Sequence, residues 1–226
     1  VASMTLPAVF CQVLFPIYSE KQNNISELRS MLSQNMKMIS FIIFPLMMLL
    51  IIVAKPLFIL LYGNQWIDAV PYFQILCIGG FFSALYNFNY YAVAAVGKSK
   101  ALFYWGCYKW GVLLVLLLIG ASFSMLGVLI AMVISNINIY LTNALLAQRY
   151  IGYRLGQQIV DIIPTLMTKI ISGAIVFPIF LLTGIHWLLC CRIFAIIYLF
   201  ISYIFKLDGL SYIKSFIVSR ISKRVV

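Results

Sequence analysis

An all-α fold, a polytopic bundle of about seven transmembrane helices, is predicted by three observations: composition, the spacing of apolar runs and the placement of basic residues. Of the 226 residues, 64% are hydrophobic and 9% are charged, and the mean hydropathy is +1.06. An ordinary soluble domain is about half apolar and about a quarter charged. A chain of this size could not hide so many apolar side chains in one water-soluble core. A soluble enzyme, a disordered tail and a nucleic-acid-binding module are therefore excluded. The formal charge of +11 would suggest nucleic acid only in a soluble chain.

The apolar runs cover 1–18, 38–62, 69–96, 101–121, 124–147, 161–183 and 185–205, each near the ~20 residues a spanning helix requires. The first opens VASMTLPAVF, with no initiator Met and no basic stretch, and does not read as a signal peptide. It looks like the middle or end of a span, in a chain whose upstream part is missing. Next, SELRSMLSQNMKMI places Leu28, Met31, Leu32, Asn35, Met36 and Ile39 at i, i+3, i+4 spacing, which predicts an amphipathic helix lying on the membrane surface. The second run is expected to break at Lys55-Pro56, because proline ends or kinks a helix. The remainder, LFILLYGNQW, becomes a short interfacial piece with Tyr62 and Trp66 at headgroup level. Pro45, Pro164 and Pro178 predict kinks, tolerated where a neighbouring helix or cavity water satisfies the freed carbonyl. The tail, ending SYIKSFIVSRISKRVV, reads as a second basic surface helix.

Charge alternates between the connections. Lys21, Arg29, Lys37, Lys98, Lys100, Arg149, Arg154, Lys206, Lys214, Arg220, Lys223 and Arg224 fall in connections on one side. The other three connections, 63–68, 121–124 and 183–186, carry no Lys or Arg. Basic residues collect in cytoplasmic loops, so the basic side and the C-terminus are expected to be cytoplasmic.

No catalytic apparatus is legible. The carboxylates are Glu20, Glu27, Asp68, Asp161 and Asp208. Asp68 falls outside and the rest fall on the cytoplasmic side, so no two can flank one bond within the membrane. His186 has no carboxylate nearby in sequence and reads as an interfacial hydrogen-bonding group. Cys11, Cys77, Cys107, Cys190 and Cys191 lie in apolar runs without CxxC spacing and read as small apolar filler. Neither a metal nor a cofactor is expected, and the chain is not read as an enzyme.

What remains is cationic and polar chemistry inside the spans. Lys109, Lys169 and Arg192 each lie about eight residues from a helix end, roughly 12 Å deep at 1.5 Å per residue. Such cations usually face a cavity or a partner, or their long stems reach back to the interface; both readings stand. Ser83, Tyr86, Asn87 and Tyr90 form one polar face at i, i+3, i+4, i+7, and Asn136, Tyr140 and Asn143 form another. These either hold helices together or line a hydrated path for hydroxyl-rich substrates. Trp105 lies one turn before Lys109, an aromatic platform beside a cation. Arg192 and Lys169 occupy an otherwise apolar last hairpin, a candidate groove for a lipid chain.

The order of motifs resembles the C-terminal half of Wzx-type polysaccharide flippases of the multidrug/oligosaccharidyl-lipid/polysaccharide exporter superfamily. The residues that carry it are VLFPIYS at the end of a span, KPLFILLYGNQW, and AVGKSK at a helix end; the match covers about residues 1–150, and the last two spans fit by position. The resemblance implies a fourteen-helix transporter, of which these are the eighth to fourteenth spans. Residues 1–150 would be lobe helices and 151–226 a terminal hairpin with a basic tail. It further implies that undecaprenyl-diphosphate-linked oligosaccharide is moved across the bacterial inner membrane by alternating access, for O-antigen, capsule or exopolysaccharide. The implied partners are that lipid-linked substrate, membrane lipids and other polysaccharide assembly proteins, but no nucleic acid. Two alternatives are a drug exporter of the same superfamily, which predicts a membrane-embedded carboxylate, and a membrane polymerase or ligase, which predicts a large outer loop.

Overall fold

The computed structural model describes residues 12–183 and 187–204, with part of the side chains in the last two helices left aside. The helices are α1 (12–20), α2 (Ile25–Ile52), α3 (Ala54–Tyr62), α4 (Val70–Ala95), α5 (Ser99–Phe123), α6 (Met125–Ile151), α7 (Leu155–Thr183) and α8 (Trp187–Ile204). A 3-10 helix, Asn64–Ala69, leads into α4, and no strand occurs among the described residues. Among the described residues, four stretches are long and apolar enough to cross a membrane: α2, the 3-10 helix with α4, α5 and α6. The chain is an all-α polytopic bundle, as composition predicts. Residues 1–11, His186 and the tail from 205 onward lie outside the described residues, and with them Asp208, the tail helix and most of the first run.

The predicted surface helix is not a separate element. Asn24 caps α2 by accepting from the Glu27 backbone N–H at 3.3 Å, and Glu27 places negative charge in the first turn. From there α2 runs unbroken for 28 residues, about 42 Å at 1.5 Å per residue. Leu28, Leu32, Met36 and Ile39 are wholly buried in the main core. The apolar stripe is real, but it covers protein rather than membrane, because α4, α6 and α7 pack against this helix. At its start Glu27 pairs with Lys21 at 2.7 Å, and the hydrogen bond to Glu27 raises the lysine above its usual range.

Proline placement follows local chemistry. The break falls at Val53, ahead of Pro56 in the first turn of α3, and Gln74 Nε2 of α4 donates to the Ile51 carbonyl near the break at 3.0 Å. Pro45 lies inside α2 and has no N–H for the carbonyl four residues back. That carbonyl, of Phe41, accepts from the buried Tyr198 hydroxyl of α8 at 2.9 Å. A neighbouring helix thus satisfies the group the proline frees, and the terminal hairpin is tied to α2. Phe194 and Val176 bury there against Ile52 and Val53.

Helix α4 packs between α2 and α6, whereas α5 packs mainly along α6. The α5–α6 hairpin is tight: Ser124 caps α6 by accepting from Gly127 N–H. A Cβ on Gly120 would meet the Gly127 carbonyl oxygen at 2.6 Å, so the two backbones touch. Along most of its length α5 is exposed, with only Gly120 fully buried.

Candidate functional site

Two polar regions stand out, one between α4, α5 and α6, the other where α7 begins. The first is a groove of about 250 Å³ lined by Tyr86, Lys109, Trp110, Leu113, Met132, Ser135, Asn136 and Ile139. Its existence follows from the loose seat of α5, which contacts α6 and leaves a gap toward α4. Lys109 Nζ lies 5.4 Å from the centroid of the Tyr90 ring, a cation-π distance. It forms no ion pair among the described residues. Asn136 spends its amide N–H on the Gly79 carbonyl at a long 3.5 Å. Ser135 is 1% exposed, and its hydroxyl has no hydrogen-bond partner. Three residues on, Asn138 accepts from Tyr108 OH at 3.4 Å while its own Nδ2 is unpartnered. A lone cation, an unused buried hydroxyl and an aromatic wall can take an anionic, hydroxyl-bearing ligand.

The residues anticipated from the sequence divide. Lys109 and Asn136 reach the groove and Tyr90 lies beneath the lysine. Ser83 is buried and donates to the Gly80 carbonyl at 3.0 Å, and Asn87 donates to the Ser83 carbonyl at 2.9 Å. Asn143 reaches across to the Tyr86 carbonyl at 3.4 Å. Trp105 meets Tyr108 edge-on at 5.6 Å and packs against the main core. Arg192 is exposed on α8, and the side chain of Lys169 lies outside the described ones. Ser135 and Trp110 were missed. The groove stripe on α6 is Met132, Ser135, Asn136 and Ile139, shifted by one residue from the stripe of amides and phenol, and only half polar.

Tyr140 belongs to the second region, a clasp at the start of α7. Gln158 Oε1 accepts from Asn89 Nδ2 of α4 at 2.9 Å and from Tyr140 OH of α6 at 3.4 Å. Its own amide donates to the Tyr153 carbonyl at 3.1 Å. Less than one turn on, Asp161 accepts from Ser33 OH at 2.5 Å and from Tyr153 OH at 2.6 Å, and Lys37 Nζ stands 3.5 Å away. Burial first, and the bond to Asp161 second, push the Tyr153 phenol far above its usual range, so it stays a donor. Among the described residues no group of three His, Cys, Asp or Glu side chains comes together.

Residues 1–71 match the family described as Polysaccharide biosynthesis protein. The chain is 30% identical over 97 residues to the teichuronic acid biosynthesis protein TuaB of Bacillus subtilis, which is 43% of this chain and 20% of that protein. It is 28% identical over 87 residues to the lipopolysaccharide biosynthesis protein WzxC of Escherichia coli, 38% of this chain and 18% of that one. It is 38% identical over 72 residues to an uncharacterized membrane protein in the cps region of Klebsiella pneumoniae, 32% of this chain and 15% of that protein. Among solved structures the fold is similar to the lipid II flippase MurJ in its inward closed conformation, with a TM-score of 0.72 at 19% identity. That superposition covers 91% of this chain and 45% of the flippase, so the chain spans about half of it. The stretches matched in the curated relatives are a fifth of their length or less. Family match, relatives and fold together bear out the resemblance to Wzx-type polysaccharide flippases read from VLFPIYS, KPLFILLYGNQW and AVGKSK, in a multi-pass membrane chain.

Proposed function

We propose that the chain is part of a transporter that turns undecaprenyl-diphosphate-linked oligosaccharide across the bacterial cytoplasmic membrane, by alternating access, for O-antigen, capsule or exopolysaccharide assembly. The observation that carries this reading is Lys109 in the groove. A cation at mid-span is costly unless something uses it, and no carboxylate lines the groove to pair with it. A diphosphate would meet Lys109, while sugar hydroxyls would meet Ser135 and Asn136. A drug exporter would want a carboxylate there for a cationic cargo, and the groove offers the opposite charge. In this reading residues 1–150 hold the headgroup and 151–226 form the lipid side. Arg192, with Ile196 and Phe200 exposed at one and two turns beyond it, and Lys169 border the path of the polyprenyl chain. The lipid-linked unit is then the partner, handed on to other polysaccharide assembly proteins.

The test is genetic and biochemical. Deleting the gene should arrest surface polysaccharide and leave lipid-linked units on the cytoplasmic leaflet, with both reversed by complementation. Loss of polysaccharide without accumulation of those units would contradict transport as the step. Orientation is tested separately. Cysteines replacing the exposed Gln65 and Ser122 should react with impermeant thiol reagents in intact cells, and those replacing the exposed Ser99 and Gln157 should not.

A further inference from the structure

We propose that a cleft between the start of α2 and the start of α7 binds the phosphoryl group of a small, water-soluble sugar phosphate. The cleft has a volume of about 290 Å³, near the small end of the range for ligand sites, about 300 Å³. Two helix stripes build it. Ser26, Arg29, Ser30 and Ser33 line it from α2 at i, i+3, i+4, i+7, and Gln157 and Asp161, one turn apart, line it from α7. Every lining side chain carries a polar atom and none is aliphatic.

Arg29 supplies the charge. Its Nε donates to the Ile151 carbonyl at the end of α6 at 3.2 Å, and it forms no ion pair among the described residues. Gly152, left-handed at φ +73°, makes room for it, since a side chain there would collide with the guanidinium. Only Nε is spent, so the terminal N–H groups have no partner among the described residues. Two more donors on the wall are unspent. Ser30 Oγ accepts from Gln34 Nε2 at 3.4 Å and keeps its own O–H. Gln157 Oε1 accepts from the Arg154 N–H at 3.2 Å, which leaves its amide N–H groups.

The carboxylate of the cleft is already engaged. Asp161 receives Ser33, Tyr153 and Lys37, and Arg29 and Lys37 together outweigh its charge. Three spare donors, one of them a guanidinium fork, match the several oxygens of a phosphoryl group. Asp161 Oδ1, with Lys37 at 3.5 Å, still has a lone pair for a ligand hydroxyl. The polar wall offers nothing to an acyl chain, so the ester is a soluble one. The cleft is separate from the Lys109 groove and stands whether or not the chain is a transporter. The side of the membrane on which it opens follows the orientation proposed above.

The test is titration calorimetry of the full chain in phosphatidylcholine nanodiscs with glucose 1-phosphate. Saturable binding is expected, and Arg29→Gln should weaken it about tenfold or more. Ser30→Ala/Gln157→Glu keeps the acceptor for the Arg154 N–H and exchanges an amide donor for a repelling carboxylate. It should weaken binding about tenfold as well, with the unfolding temperature of the ligand-free protein unchanged. Absence of binding at millimolar ester would overturn the proposal, as would parent-like affinity in the double variant. Glucose bound as tightly as its phosphate would remove the phosphoryl group from recognition and overturn it too. Loss of binding in Lys109→Ala, with the double variant unaffected, would move the ligand to the groove and overturn the cleft. Displacement of glucose 1-phosphate by a minority of phosphatidylglycerol in the nanodiscs would assign the cleft to a lipid headgroup and overturn the soluble source.

Discussion

The clasp at the start of α7 and the groove beside α5 are built from the same kinds of side chain and treat them in opposite ways. In the clasp, Gln158 is wholly buried and uses both ends of its amide, and Asp161 takes two short hydroxyl bonds and a lysine. In the groove, Ser135 is as deeply buried and uses nothing, and Lys109 has only a ring. Buried polar groups are almost always paired, and those left unpaired call for an explanation. The clasp pairs its own, save the buried Asn89 Oδ1, and so holds α2, α4, α6 and α7 together. The groove leaves the Ser135 hydroxyl unpaired, which is the ground for proposing the substrate there.

Substitutions can break or sharpen that contrast, because clasp changes should cost stability and groove changes should not. Gln158→Leu strands the Asn89 amide, the Tyr140 hydroxyl and the Tyr153 carbonyl, each costing roughly 1–3 kcal/mol when buried and unpaired. A loss of about 4 kcal/mol is expected, read as a fall in thermal unfolding temperature in detergent. Asp161→Asn keeps an acceptor but gives up the charge that faces Lys37 and strengthens two hydroxyl bonds. About 2 kcal/mol should go, with part of the ion-pair share screened because the pair is not fully buried. Tyr198→Phe uncovers the Phe41 carbonyl behind Pro45 and should cost about 1 kcal/mol. Ser135→Ala removes a hydroxyl that has no partner, so stability should change by less than about 0.5 kcal/mol. A loss near 2 kcal/mol there would mean that Ser135 serves the fold, and the contrast would fail.

Much of this was legible in the sequence, and the reasons it stopped are physical. Apolar runs located α4, α5 and α6 to within a few residues, since a bilayer sets the length of such helices. Lys55-Pro56 located the break after α2. The stripe Leu28, Leu32, Met36, Ile39 was read correctly as one face and wrongly as membrane-facing, because periodicity shows that a face is buried but not what buries it. Gln158 and Asn89 carried no signal at all. Each is a single amide near a helix end, where polar residues read as connection, and only the packing of α7 on α4 makes them partners. Tyr140 fell in the right stripe but on the clasp side of α6, which spacing alone cannot separate from the groove side. Lys109, Lys169 and Arg192 were legible as charges in apolar runs, rare enough to demand a role, but spacing alone left a cavity and a stem reaching the interface equally open for Lys109.

Lys109 is also where the account is most directly tested. In cells whose surface polysaccharide depends on this protein, output should be measured for Lys109→Ala and Lys109→Arg at matched membrane protein levels. A charge-assisted contact to phosphate is worth roughly 1.5–3 kcal/mol. Lys109→Ala should therefore lower output about tenfold or more while the protein remains in the membrane, and Lys109→Arg should keep most of it. Wild-type output from Lys109→Ala would show that the groove cation does not meet the substrate, and would contradict the account.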